Sequence, residues 1–197
     1  MPRRFAMSRR FDMSRRDVIL SIVLTVALVA VLWLFFTNSA FFDWAFARHQ
    51  NTLSWIARPV LVLPYCYCAW RRWLPGVMLS VLAIVTSMFW FPVPVAPRED
   101  VLAFLAMERA LLQSGWTAAN LLGALAVAVY FGLVALAFWR RSLWLGFVVV
   151  ALGAGLKLLW SVLFSPEAGV AVAPFALFGV LLLGLVLALL HGLKKRS

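Results

Sequence analysis

The sequence predicts an all-α polytopic membrane protein: a six-transmembrane-helix bundle with one amphipathic interfacial helix between helices 3 and 4. Three observations carry that expectation. Hydrophobic residues make up 65% of the 197-residue chain and charged residues 13%, whereas a soluble domain is roughly 45–50% apolar. A hydrocarbon core about 30 Å thick takes roughly 20 helical residues. Apolar runs of suitable length lie at about 17–37, 53–70, 74–91, 117–139, 143–164 and 172–191. Thirteen of the 18 basic residues also fall at one set of span ends.

Those thirteen are Arg3, Arg4, Arg9, Arg10, Arg15, Arg16, Arg71, Arg72, Arg140, Arg141, Lys194, Lys195 and Arg196. The opposite loops hold Asp43, Arg48, Arg98, Glu99, Asp100, Glu108, Arg109 and Glu167. The positive-inside rule then predicts a multi-pass protein of the plasma (bacterial inner) membrane with both termini cytoplasmic. The net charge of +11 reads as topology, with added attraction to anionic lipid headgroups on the cytoplasmic face. Nucleic acid is not an expected partner; another membrane protein or a second copy is. The chain divides into a polybasic segment 1–16, a membrane domain 17–191 and a basic tail 192–197. Nothing of soluble-domain size remains, so any chemistry belongs to the bundle or its loops.

Segment 1–16 repeats the pattern Arg-Arg-Phe-x-Met-Ser, at Arg3–Ser8 and again at Arg9–Ser14. Met7 or Met13 is an alternative start. Ser14-Arg15-Arg16 before an apolar run resembles a twin-arginine export signal with Asn38-Ser39-Ala40 as its cleavage site. The run Val18–Phe36 is too long for a signal core, and an uncleaved first span is expected. The external loop 37–51 is rich in aromatics (Phe41, Phe42, Trp44, Phe46), as interfacial belts are. Its His49 has no second ligand at metal spacing and reads as an interfacial polar residue.

Span two carries Arg58-Pro59 and Pro64, so freed carbonyls and a kink are expected there. Arg58 lies about 9 Å inside the outer boundary, where it either snorkels to the surface or walls a polar pocket. Cys66 and Cys68 point roughly 200° apart on a helix and read as inert packed thiols. In span three Ser80, Thr86 and Ser87 can satisfy themselves on their own helix carbonyls.

Between spans three and four, Pro92, Pro94 and Pro97 stop one helix. Pro97-Arg98-Glu99-Asp100 then starts another with acids in its first turn, predicting an interfacial helix over 98–113. Val101, Phe104, Leu105, Leu111 and Leu112 fall on one face, and Ala103, Ala106, Ala110 and Glu99 on the other. Glu108 sits within the apolar face, where a carboxylate must snorkel, lose its charge or meet a cation. In span four, Ala124, Ala128 and Gly132 form a small-residue ridge matched on span five by Ala151, Gly153 and Gly155, predicting close helix packing. Asn120 opens span four, and Lys157 lies about seven residues inside the outer end of span five.

Arg58, Asn120 and Lys157 therefore project to similar depth, with Glu108 on the connector above them. This foursome is the candidate ligand-binding set. It reads as an outer-leaflet site for an anionic solute or lipid headgroup in a transporter-like protein, with Glu108 as counter-ion or proton-linked group. The alternative is a non-enzymatic accessory or assembly subunit of a larger membrane complex. No catalytic motif, metal site or cofactor fingerprint stands in the chain, so neither a cofactor nor a catalytic residue is expected. The three-plus-three division permits an inverted repeat without internal similarity to support one.

Overall fold

The computed structural model describes residues 13–164 and 169–196. Arg3–Asp12 and Glu167, with the expectations that rest on them, lie outside the described residues. Within these the protein is all-α. The helices are α1 (Arg15–Thr37), α2 (Ser39–His49), α3 (Thr52–Trp70), α4 (Leu74–Thr86), α5 (Glu99–Gln113), α6 (Ala118–Trp139), α7 (Leu143–Phe164) and α8 (Ala173–Arg196). Short 3₁₀ turns, Ser87–Phe89 and Val170–Val172, follow α4 and precede α8.

Their limits follow from local chemistry. Ser14, Asn38, Asn51 and Thr117 each accept a backbone N–H two or three residues ahead, satisfying one orphan donor of α1, α2, α3 and α6. α4 has Pro75 as its second residue, where the missing N–H costs nothing in a first turn. The α3–α4 and α6–α7 turns each contain an arginine pair, and in both the second arginine, Arg72 or Arg141, has φ +57°. A side chain in that left-handed conformation costs about 1 kcal/mol or more relative to glycine. The chain thus carries a cation where the backbone suits glycine. Arg72 Nε donates to the carbonyl of Trp139 at 3.0 Å, so the two basic turns meet at one end of the bundle. The start of α1 joins them there, where Trp73 Nε1 donates to Asp17 at 3.3 Å.

Among the described residues four helices, α1, α6, α7 and α8, are long and apolar enough to cross a membrane. The other two expected spans differ. α3 has the length, but Arg58, two prolines and two tyrosines dilute its apolar character. α4 has 13 residues, about 20 Å at 1.5 Å each, before the 3₁₀ turn takes over. The helix of α3 runs through Pro59 and Pro64 without interruption.

α3 is the hub, packing against α2, α4, α6 and α8. Two apolar clusters form around it. One, nearer the basic turns, gathers Tyr65, Cys66, Cys68 and Ala69 of α3 with Val77 and Ile84 of α4, Val134 and Phe138 of α6, Val150 of α7 and Leu183 of α8. Cys66 and Cys68 are free, buried thiols within it. The other joins Phe42, Ala45 and Phe46 of α2, Trp55 of α3, Val101, Phe104 and Leu105 of α5, and Met88 and Val172 of the two 3₁₀ turns.

Several expectations change here. Segment 37–51 is a helix rather than a loop: Asn38 caps it, and Phe42, Ala45, Phe46 and His49, at i, i+3, i+4 and i+7, form its buried stripe. On α5, Val101, Phe104 and Leu105 are buried as the pattern predicts, but Leu111 is 38% exposed. Its turn extends beyond the side chains that cover the first two. The small-residue ridge on α6 is not a packing seam either. Ala124, Ala128 and Gly132 are exposed, and a Cβ on Gly132 or Gly155 would meet nothing within 4 Å. Of the small residues expected to pack, Gly153 on α7 does approach α6, its face filled by the Tyr130 ring. Ser80, Thr86 and Ser87 do donate to carbonyls of their own helix.

Candidate functional site

The site is built where α5 lies across the ends of α3 and α7 away from the basic turns. Phe104 and Leu105 anchor α5, and Glu108, one turn beyond Phe104, is directed at α7. There Lys157 Nζ donates to Glu108 Oε1 at 3.0 Å, with side-chain exposures of 51% for Lys157 and 25% for Glu108. The ammonium also stands 5.3 Å from the centroid of the Phe104 ring, whose face attracts a cation. Arg109, the next residue, pairs with Asp43 of α2 and lies over the Phe42 ring. Two adjacent residues of α5 thus fasten it to different helices.

Arg58, on α3, is partly buried and within electrostatic range of Glu108. Among the described residues it takes part in no ion pair and donates no side-chain hydrogen bond. The carboxylate that could pair it is already held by Lys157. Asn120 does not join this group. Its amide donates to the carbonyls of Leu111 and Gly115, at 2.9 and 2.7 Å, and to Ser114 Oγ at 3.1 Å. It locks the turn between α5 and α6, where Gly115 has φ +87°. Its amide is thus engaged by the turn itself.

His49 is the site residue that sequence reasoning missed. It is 2% exposed, packed inside the protein rather than open to its surroundings. Its Nδ1 lies 2.8 Å from Ser54 Oγ, and Ser54 spends its own proton on the Asn51 carbonyl at 2.7 Å. That network assigns the imidazole proton to Nδ1. Trp55 Nε1 donates to the His49 carbonyl at 3.0 Å. Burial, reinforced by the positive charges of Arg58 and Lys157, holds the imidazole well below its ordinary value of 6.5. The regular spacing of Phe42, Ala45, Phe46 and His49 after a capping asparagine was the available signal.

A stability prediction follows. The fold retains neutral His49, while the unfolded chain takes up a proton near 6.5. The native state therefore gains from this residue above pH about 6.5 and loses that gain as pH falls further. Thermal unfolding in mild detergent is expected to shift to lower temperature between pH 7.5 and 5.5. His49→Asn should flatten that dependence; an unchanged slope would show that other groups set it.

Among the described residues no three His, Cys, Asp or Glu side chains gather closely enough to hold a metal. The arrangement offers two cations on different helices, one carboxylate between them, and a neutral imidazole. The one hydroxyl beside the imidazole, Ser54, is fully buried and gives its proton to the Asn51 carbonyl, so the solvent-facing chemistry of the cluster is that of its charges. Fold and site together define a small all-α membrane protein with a charged cluster at one end of its bundle. No protein-family model, curated protein or solved structure matches the chain.

Proposed function

We propose that this chain is a six-span protein of the plasma (bacterial inner) membrane that binds an anion through Arg58 and Lys157, in a transporter-like or ligand-binding role. Glu108 is the internal counter-ion that the anion displaces. In this reading α3 and α4 also span, as inner helices covered by their neighbours, and α5 lies at the outer interface. Both termini are cytoplasmic. Support for that sidedness comes from the meeting of the Arg71-Arg72 and Arg140-Arg141 turns at the bundle end where α1 starts.

One observation carries the binding reading. Arg58 is a partly buried cation without a hydrogen-bonded anion of its own, while the nearest carboxylate is engaged by Lys157. Buried cations are costly and mark functional positions when partners are not supplied by the chain. An incoming anion supplies one.

The test is titration of the detergent-solubilised protein with inorganic phosphate, read by calorimetry. Arg58→Gln is expected to weaken binding about tenfold, the worth of one charge-assisted hydrogen bond, with the fold retained. Asn120→Ala should lower stability without changing affinity. Equal affinity in wild type and Arg58→Gln would remove the site.

A second reading, an accessory subunit of a larger membrane complex, is favoured by α1, where Ser21 is the one buried residue. A helix so bare on the edge of a bundle can dock on a partner. Gentle extraction followed by native mass spectrometry separates the two, since an accessory subunit leaves the membrane with its partner.

A further inference from the structure

The outer half of α6 is exposed on every side. From Leu121 to Val129 each residue is open, a run of nine apolar positions. Helical geometry places this opening. Tyr130 of α6 lies against Gly153 of α7. Counted outward from that contact on two antiparallel helices, the next facing positions are Ala126 and Val127 with Leu156 and Lys157, then Gly123 with Trp160. Packed helices would cover them. Instead Val127 is 58% exposed, Leu156 65% and Trp160 46%, and a Cβ on Gly123 would meet nothing within 4 Å. The helices part outward of Tyr130, leaving an apolar cleft. Lys157 stands in its wall, with its ammonium on Glu108. On the α3 side Tyr65 packs on Phe131, so Arg58, two turns further out on α3, comes level with the open stretch of α6.

We infer that this cleft holds one anionic membrane lipid, its phosphate-bearing headgroup between Arg58 and Lys157 and an acyl chain between α6 and α7. The inference rests on the anion-site reading and names the source of the anion. Charge complementarity selects the headgroup, because two cations face one carboxylate at the mouth of the cleft. The walls select a chain: the side chains of Ala126, Val127 and Leu156 offer no hydrogen-bonding group to a hydrated solute. Gly123 and Ala126 leave the width that larger side chains would close.

The experiment is native mass spectrometry after solubilisation in mixed micelles of phosphatidylglycerol and phosphatidylcholine with matched chains. The wild type is expected to retain one phosphatidylglycerol with about tenfold preference. Arg58→Gln should lose the preference through charge. Ala126→Trp and Gly123→Leu, which fill the cleft, should lose the lipid through shape while still binding inorganic phosphate. Phosphate binding that depends on Arg58, with no lipid preference or with lipid retained in the filled variants, would overturn the lipid inference and leave the anion site. Loss of both lipid and phosphate dependence on Arg58 would remove both. A lipid-free dimer or a tightly held partner protein broken by Ala126→Trp would assign the cleft to protein and overturn the inference.

Discussion

Trp55→Ala is expected to destabilise the protein by about 3–5 kcal/mol, the usual cost of removing a large buried aromatic. Trp55 is 6% exposed. Its ring contacts His49 of α2, Phe104 of α5 and Phe175 of α8, with centroids 5.6, 5.4 and 5.3 Å away. Its indole N–H also holds the His49 carbonyl. One truncation therefore opens a cavity where four helices meet and leaves a buried acceptor unpaired. Trp33, 71% exposed on α1, is the internal control, with an expected change of about 0.5 kcal/mol or less. Thermal or denaturant unfolding in mild detergent, followed by near-ultraviolet circular dichroism, measures both. Equal effects would mean that the cluster around Trp55 does not carry the packing ascribed to it. A second consequence is local: without Trp55, α5 loses the partner of Phe104, and the Glu108–Lys157 contact should loosen with it.

How far the sequence discloses this arrangement depends on how many residues speak for each feature. Helix starts were legible because apolar runs and breakers act locally: the runs from 53, 74 and 117 and the Pro97-Arg98-Glu99-Asp100 signal each fall within a residue or two of an observed start. The buried face of α5 was legible from Val101, Phe104 and Leu105 for the same reason. Tertiary matters were not. Small residues at Ala124, Ala128 and Gly132 permit close packing but do not compel it, and the Tyr130–Gly153 fit that decides the α6–α7 approach involves a residue outside the ridge. Glu108 announced a need for a cation, yet Lys157 and Arg58 were equal candidates in sequence; only the direction of α5 across α7 decides for Lys157. Asn120 shared a predicted depth with them, but depth is one coordinate of three. His49 was hidden because aromatic density was read as a belt, so the helical stripe that buries it went uncounted.

Glu108→Gln separates a structural strut from a counter-ion. In the free protein the carboxylate holds Lys157 and lies within range of Arg58. Replacing it with a neutral isostere leaves two cations facing each other with no anion between them. Exposed ion pairs contribute up to about 1 kcal/mol and breaking buried ones costs about 3–5. With exposures of 51% and 25%, a loss near 2 kcal/mol is expected. A strut ends there: Lys157→Gln would cost a similar amount, and added anion would restore neither variant. A counter-ion behaves differently, because removing it vacates the place that the ligand takes. Phosphate affinity of Glu108→Gln should then rise about tenfold as Lys157 is released. The variant should also recover its lost stability in excess phosphate, since a ligand at one hundred times its Kd adds about 2.7 kcal/mol. Lys157→Gln should lose affinity instead, because it deletes a contact of the ligand and leaves Glu108 to repel it. Opposite signs from the two halves of one ion pair are what a binding site requires and a strut forbids, and thermal unfolding with and without phosphate reads them directly.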